Sequence, residues 1–170
     1  MWLGRIFLML AVVLGLSACG GSKFRTYDGP EVTSIQVHKS ARKMYLLHND
    51  EVLQTYDIAL GRVPEGHKQF EGDGKTPEGT YWIDRRNPRS EFHLSIGISY
   101  PNEADRAYAS SMGKPPGGDI FIHGHTGTKN PRTGKKNRGD WTEGCIAVKD
   151  REMEEIYAMV RNGTIIHILP

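Results

Sequence analysis

The 170-residue sequence contains only two cysteines, Cys19 and Cys145, so at most one disulfide can staple it. Its net charge is only +2, from 22 Lys+Arg against 20 Asp+Glu, and no basic repeat accompanies it. Nucleic-acid binding through bulk charge is therefore excluded. Long apolar runs are missing as well. Ile6 to Leu16 is the one sustained stretch, and its eleven residues fall short of the ~20 that cross a bilayer as a helix. There is no internal repeat and no sign of a second domain. Charged residues at 25% and hydrophobic ones at 38% do not fit a disordered chain or a multispan membrane protein. What the sequence does hold is turn-forming residues, Gly 20 and Pro 9, which point to a strand-rich fold rather than a helix bundle.

The first segment bears on compartment. Arg5 precedes the Ile6–Leu16 run, and small residues close it, the layout of a secretory signal. Leu16-Ser17-Ala18-Cys19-Gly20 resembles the lipobox of bacterial lipoproteins. That resemblance implies cleavage after Ala18, with Cys19 as the lipidated first residue and the membrane as a partner through its acyl chains. Two or more chains on one residue give stable anchoring. With Cys19 taken by lipid, Cys145 has no intramolecular partner, and a lone thiol in an exported protein points to reactivity. Gly20 in place of Asp after the lipid site resembles the Gram-negative signal for the outer membrane.

Residues 20–31 (GGSKFRTYDGPE) are small and polar without periodicity, and read as a flexible tether ahead of one domain over 32–170. Short strands are expected at Ser34–His38, Met44–His48, Val52–Ala59, Thr80–Asp84, Phe92–Ile98, Ile120–His123 and Thr164–Leu169, with Asn49-Asp50 as a hairpin turn. One helix is expected. Met153, Ile156, Tyr157 and Val160 recur at three- and four-residue spacing, with Asp150 as cap and Asn162-Gly163 as stop. The expected class is mainly β, a sandwich-like mixed sheet with a single C-terminal helix.

The chemistry lies between His123 and Cys145. His123 closes an apolar strand, and Cys145 follows Gly144 in a tight segment leading into Ile146-Ala147-Val148. A free thiol has a pKa of ~8.5 and attacks only as thiolate. An adjacent imidazole takes that proton and later returns it to a leaving amine. Gly144 permits a sharp turn, after which the N–H groups of Gly144 and Cys145 can form an oxyanion hole. The set suits acyl transfer by a cysteine.

His123-Gly124 followed by Thr142-Glu143-Gly144-Cys145-Ile146 resembles the signature of the L,D-transpeptidase (YkuD-like) catalytic domain family. The opening hairpin over 37–61, the Lys75-Thr76-Pro77-Glu78-Gly79 turn, and the closing helix and strand over 153–168 are similar too. The resemblance implies a cysteine enzyme of peptidoglycan biosynthesis, contributing to cell-wall organisation and cell shape. Such enzymes attack the bond between a diamino acid and terminal D-alanine of a stem peptide, form a thioester, and pass it to an amine or to water. Cys145 is then the nucleophile and His123 the general base and acid. Gly124 supplies backbone that orients the imidazole, Gly144 and Cys145 form the oxyanion hole, and Thr142 makes a local hydrogen bond that shapes the turn. Two positions depart from the family pattern: Glu143 stands where His is most frequent, and Ala147 where many members have Arg or Asn.

Neighbouring residues carry weaker signals. His125 shares a strand face with His123, and with His93 and Glu143 it is a candidate substrate contact, set against solvated or structural roles. His123, His125 and Cys145 are chemically able to bind zinc but lack a well-spaced fourth ligand, and no metal or organic cofactor is required. The basic stretch from Lys129 to Arg138 is either an attractor of wall-peptide carboxylates or merely hydrated. Trp141 reads as a packing lid. Three functions follow: a lipid-anchored transpeptidase joining stem peptides to an amine acceptor (a second stem, a D-amino acid or a protein lysine), a hydrolase trimming stems or freeing bound lipoprotein, and a non-catalytic wall-binding lipoprotein.

Overall fold

A computed structural model describes residues 22–125 and 139–170. Eight strands run in the order β1 (Ser34–His38), β2 (Lys43–His48), β3 (Glu51–Asp57), β4 (Gly79–Asn87), β5 (Ser95–Ile98), β6 (Phe121–His123), β7 (Ile146–Ala147) and β8 (Ile165–Leu169). Helix α1 (Glu103–Ser111) lies between β5 and β6, and α2 (Asp150–Met159) between β7 and β8. The strands form one mixed sheet in the order β3-β2-β1-β8-β4-β5-β6-β7. Pairing is parallel for β1–β8 and β6–β7 and antiparallel elsewhere.

Alternation of apolar residues sets which face is inside. In β1, Ile35 and Val37 are fully buried while their neighbours are partly exposed, and β8 repeats this with Ile166 and Ile168. All of β5 is buried, as expected for a strand covered on both faces. Helix α2 closes the core with Met153, Ile156 and Met159. Each such side chain contributes about 1.5–3 kcal/mol when fully buried.

The sheet curls until its ends meet. Beyond β3 the chain runs alongside the approach to β7, where Ala59 and Ala147 exchange backbone hydrogen bonds of 2.9 and 2.8 Å. Thr142 N–H donates to Leu60 O (3.1 Å) and Arg62 N–H to Thr142 O (3.0 Å). Residues 142–147 are therefore gripped on both sides, by β6 and by 59–62.

The mainly-β class holds, with two helices rather than one. Helix α1 went unexpected because only Asp105 and Ala109 of its nine residues are buried, which leaves almost no apolar period to read. Its start is specified by polar chemistry: Asn102 Oδ1 accepts from Asp105 N–H (3.0 Å), and Asn102 N–H donates to Asp105 Oδ2 (2.9 Å). Helix α2 starts at Asp150 with Lys149, not Asp150, as the capping residue. The expected strand over 92–98 begins only at Ser95, because His93 takes φ +70° and Leu94 N–H turns back on Phe92 O at 2.9 Å.

The segment expected as a tether is docked where it is described. Lys23 Nζ donates to Pro88 O (2.7 Å) and His93 O (3.0 Å), and Arg25 pairs with Glu154 and Glu155 at 2.9 and 2.8 Å. Phe24 lies 6.2 Å from the Tyr157 ring, and Tyr27 packs against the core. Among the described residues no helix is long and apolar enough to cross a membrane. The apolar run, Cys19 and the basic stretch from Lys129 to Arg138 lie outside the described residues.

Candidate active site

The sheet register brings the two expected reactive residues to one cleft. In the parallel β6–β7 pair, Ile122 faces Ile146 and His123 faces Ala147. Cys145 immediately precedes β7, beside the strand that ends in His123. Both open into a cleft of about 700 Å³ walled by three segments: the loop from Asn87 to Phe92, residues 118–121, and residues 141–145.

His123 is only 4% exposed, and its Nδ1 lies 2.7 Å from Gly124 O. A carbonyl only accepts, so the proton sits on Nδ1 and Nε2 is the basic nitrogen. Phe92 at 4.4 Å and Trp141 at 5.7 Å, centroid to centroid, pack the ring. Gly124 has no space for a side chain, because a Cβ would stand 2.6 Å from Asp150 Oδ1 and 2.9 Å from Phe92 O.

Half-buried Cys145 directs its thiol to Asp119 O at 3.5 Å, and Asp119 holds a left-handed φ of +53°. Thr142 shapes the turn that carries it. Its hydroxyl donates to Cys145 O (2.7 Å) and accepts from Gly144 N–H (3.1 Å). The Gly144 amide, expected in an oxyanion hole, points to the Thr142 hydroxyl in this structure. Gly144 itself is dictated by φ +136° and by Lys75 O, which a Cβ would approach to 2.6 Å. The Lys75 loop is fixed in turn by Asp73. Burial pushes the Asp73 carboxyl up, but hydrogen bonds from Gln69 N–H, Lys68 Nζ, Lys75 N–H and Phe70 N–H outweigh it and hold the carboxyl below its ordinary pKa.

The remaining candidates spread out. Glu143 lines the cleft and forms an exposed ion pair with Arg62. His93 is not among the residues lining the cleft; its Nε2 meets Glu154 Oε1 at 3.0 Å on α2. His125 lies close enough to Asp150 for its charge to act on that carboxyl. Asp150 Oδ1 is buried and lacks a hydrogen-bond partner among the described residues. Burial pushes the Asp150 pKa up, against the opposing charges of His93 and His125. Ala147 is buried at 2% and offers the cleft no charge. Among the described residues no group of three metal-ligating side chains is assembled.

The family model of the L,D-transpeptidase catalytic domain, YkuD, matches residues 33–168. The chain belongs to this family. The Escherichia coli protein YafK, named for an L,D-transpeptidase, is 28% identical over 137 residues, which cover 77% of this chain and 48% of that protein. YkuD of Bacillus licheniformis, likewise named, is 29% identical over 136 residues, or 80% and 65% of the two chains. The solved structure of the helical cell shape determining protein Pgp2 from Campylobacter jejuni superposes with a TM-score of 0.61 at 26% identity, covering 84% of this chain and 49% of that one. The chain thus spans about half the length of the Escherichia coli and Campylobacter jejuni proteins it matches.

Within this L,D-transpeptidase domain several supports of the site carry no sequence motif. Phe92, Asp119, Asp150 and the Lys75 carbonyl act through position in the fold. Lys75 belongs to the Lys75-Thr76-Pro77-Glu78-Gly79 turn that resembles the family, and Thr76 is buried there with its hydroxyl accepting from Gly61 N–H at 3.1 Å.

Proposed function

We propose that the protein is a cysteine L,D-transpeptidase of peptidoglycan stem peptides that works through a thioester. The carrying observation is that His123, at the end of β6, and Cys145, just ahead of the parallel strand β7, line one cleft. Nε2 of His123 takes the thiol proton, and the thiolate attacks the carbonyl carbon ahead of the terminal D-amino acid. The Cys145 amide stabilises the oxyanion. Collapse breaks the C–N bond, and the imidazolium returns its proton to the leaving amine. An acceptor amine then attacks the thioester, with His123 again taking the proton, and Cys145 is regenerated. A second stem peptide, a free D-amino acid or a protein lysine has the required chemistry. No metal or organic cofactor enters any step.

The proposed location is the bacterial cell envelope, with Cys19 lipidated and the domain facing the periplasm from the outer membrane. A hydrolytic variant, in which water replaces the amine, is favoured by one feature: Ala147 stands where many family members have Arg or Asn, so that position supplies neither cation nor amide.

Intact-mass measurement of the full-length chain in detergent, mixed with diamino-acid tetrapeptide muropeptides, tests this. An adduct absent from Cys145→Ala and from His123→Ala, with amine-exchanged or crosslinked products, is the expected result. Decay of the adduct to tripeptide alone moves the assignment to hydrolase. Binding without an adduct, equal in wild type and Cys145→Ala, overturns catalysis in favour of a wall-binding module.

A further inference from the structure

We propose that Lys23 and Arg25, outside the matched catalytic domain, are positioning residues that hold the loop seating Phe92 against His123. This rests on His123 acting as the base described above. The loop between β4 and β5 supplies one wall of the cleft through Arg89, Ser90, Glu91 and Phe92. Its own bonds are short in range: Arg89 N–H to Asn87 Oδ1 (2.9 Å), Phe92 N–H to Ser90 Oγ (3.1 Å) and Leu94 N–H to Phe92 O (2.9 Å). These bonds stay within the loop, while Gly124 N–H to Leu94 O (3.2 Å) ties its far end to the residue after β6.

The N-terminal segment adds anchorage from far along the chain. The Lys23 ammonium joins the carbonyls of Pro88 and His93, near the two ends of the loop. A compact ammonium has three donors and makes charge-assisted bonds to both. Arg25 acts on the same residue by another route. It pairs with Glu154, the carboxylate that receives His93 Nε2 at 3.0 Å. His93 is thereby held at its carbonyl by Lys23 and at its ring by the Glu154–Arg25 pair, in a left-handed backbone conformation of φ +70°. Phe92 is its immediate neighbour and stacks 4.4 Å from the His123 ring.

Ion pairs this exposed add little to global stability: Arg25 is 37% exposed and Glu155 39%. Their geometric effect is concentrated at the catalytic imidazole, where a displacement of ~1 Å costs a reaction ~100-fold.

Alkylation of Cys145 by iodoacetamide in the full-length chain, localised by peptide mass and followed across pH, reads the thiol–imidazole pair without a wall substrate. Lys23→Met is expected to slow alkylation at neutral pH ~10-fold and to move the profile toward that of an ordinary thiol, near pH ~8.5. Lys23→Arg restores the wild-type profile, Arg25→Gln shows a smaller shift in the same direction, and Lys43→Met, altering an exposed pair with Asp57, leaves it unchanged. Lys23→Met and Arg25→Gln with the wild-type profile, even at a lowered melting temperature, overturn the proposal. Failure of the underlying reading looks different: His123→Ala would then alkylate like the wild type.

Discussion

Replacing Gly144 with alanine tests the claim that the nucleophile's turn is built around a missing side chain. Two penalties are predicted. The backbone at φ +136° is disfavoured for a residue with a Cβ, at about 1–3 kcal/mol. The new methyl would also stand 2.6 Å from Lys75 O and 3.1 Å from Ile120 Cδ1. The first of these is backbone, anchored by Asp73, so relief requires moving the loop or the turn, at a further ~1–3 kcal/mol. The expected loss is about 4 kcal/mol, a fall of ~8–16 °C in melting temperature at ~2–4 °C per kcal/mol for a domain of this size. Gly113→Ala isolates the conformational part, because Gly113 has φ +66° with nothing within 4 Å of its would-be Cβ. Its expected cost is only ~1 kcal/mol. Thermal unfolding by circular dichroism and the Cys145 alkylation rate are read on both variants. If Gly144→Ala matched Gly113→Ala in melting temperature and kept the wild-type alkylation rate, the Lys75 contact would have no part in shaping the site.

Thr142→Val removes the hydroxyl that bridges Gly144 N–H and Cys145 O and leaves both buried groups unsatisfied. A loss of about 1–3 kcal/mol in urea unfolding is expected, with acylation reduced through a displaced Cys145; unchanged acylation would contradict the role given to the bridge. Asp150→Asn should stabilise the protein at neutral pH. A carboxyl with its folded pKa raised above the unfolded value of ~3.9 binds more protons when folded, so its contribution to stability falls as pH rises through that window. The gain should be about 1 kcal/mol at pH ~7 and vanish toward pH ~4, after allowance for the weaker helix-dipole contact; urea unfolding at the two pH values checks it, and a variant less stable than wild type at pH ~7 refutes it.

Legibility in the sequence followed the physical origin of each element. The strands β1, β2 and β8 were visible because one face is buried and one is not, so their side chains alternate. Helix α2 was visible because it buries a stripe, and α1 was hidden because it buries almost none. At the site, the types and spacing of His123 and Cys145 pointed to a cysteine acyl-transfer pair, and the fold brings both to one cleft. The contact of the Gly144 amide with the Thr142 hydroxyl was not legible, because only geometry places a hydroxyl two residues away within reach of it. His93 was a candidate contact because its segment resembles the family's cleft-building region; in the structure it takes a left-handed backbone conformation and its ring meets Glu154 on α2. The polar segment over 22–31 had the composition of a linker, yet Lys23 and Arg25 find partners about 65 and 129 positions away, which no local signal announces.

The pairing of β1 with β8 has a consequence for when the thiol becomes reactive. Ser34 lies beside Ile165, and β8 sits in the middle of the sheet, between β1 and β4. Residues 142–147 likewise depend on 59–62, some eighty positions earlier. Folds dominated by such distant pairings collapse late and slowly, since loop closure must precede the contacts that reward it. The last strand, β8, joins the half of the sheet that holds β1–β3 to the half that holds β4–β7 and Cys145. On the proposed mechanism an unfolded chain carries Cys145 as an ordinary thiol, and the imidazole reaches it only once the sheet is complete.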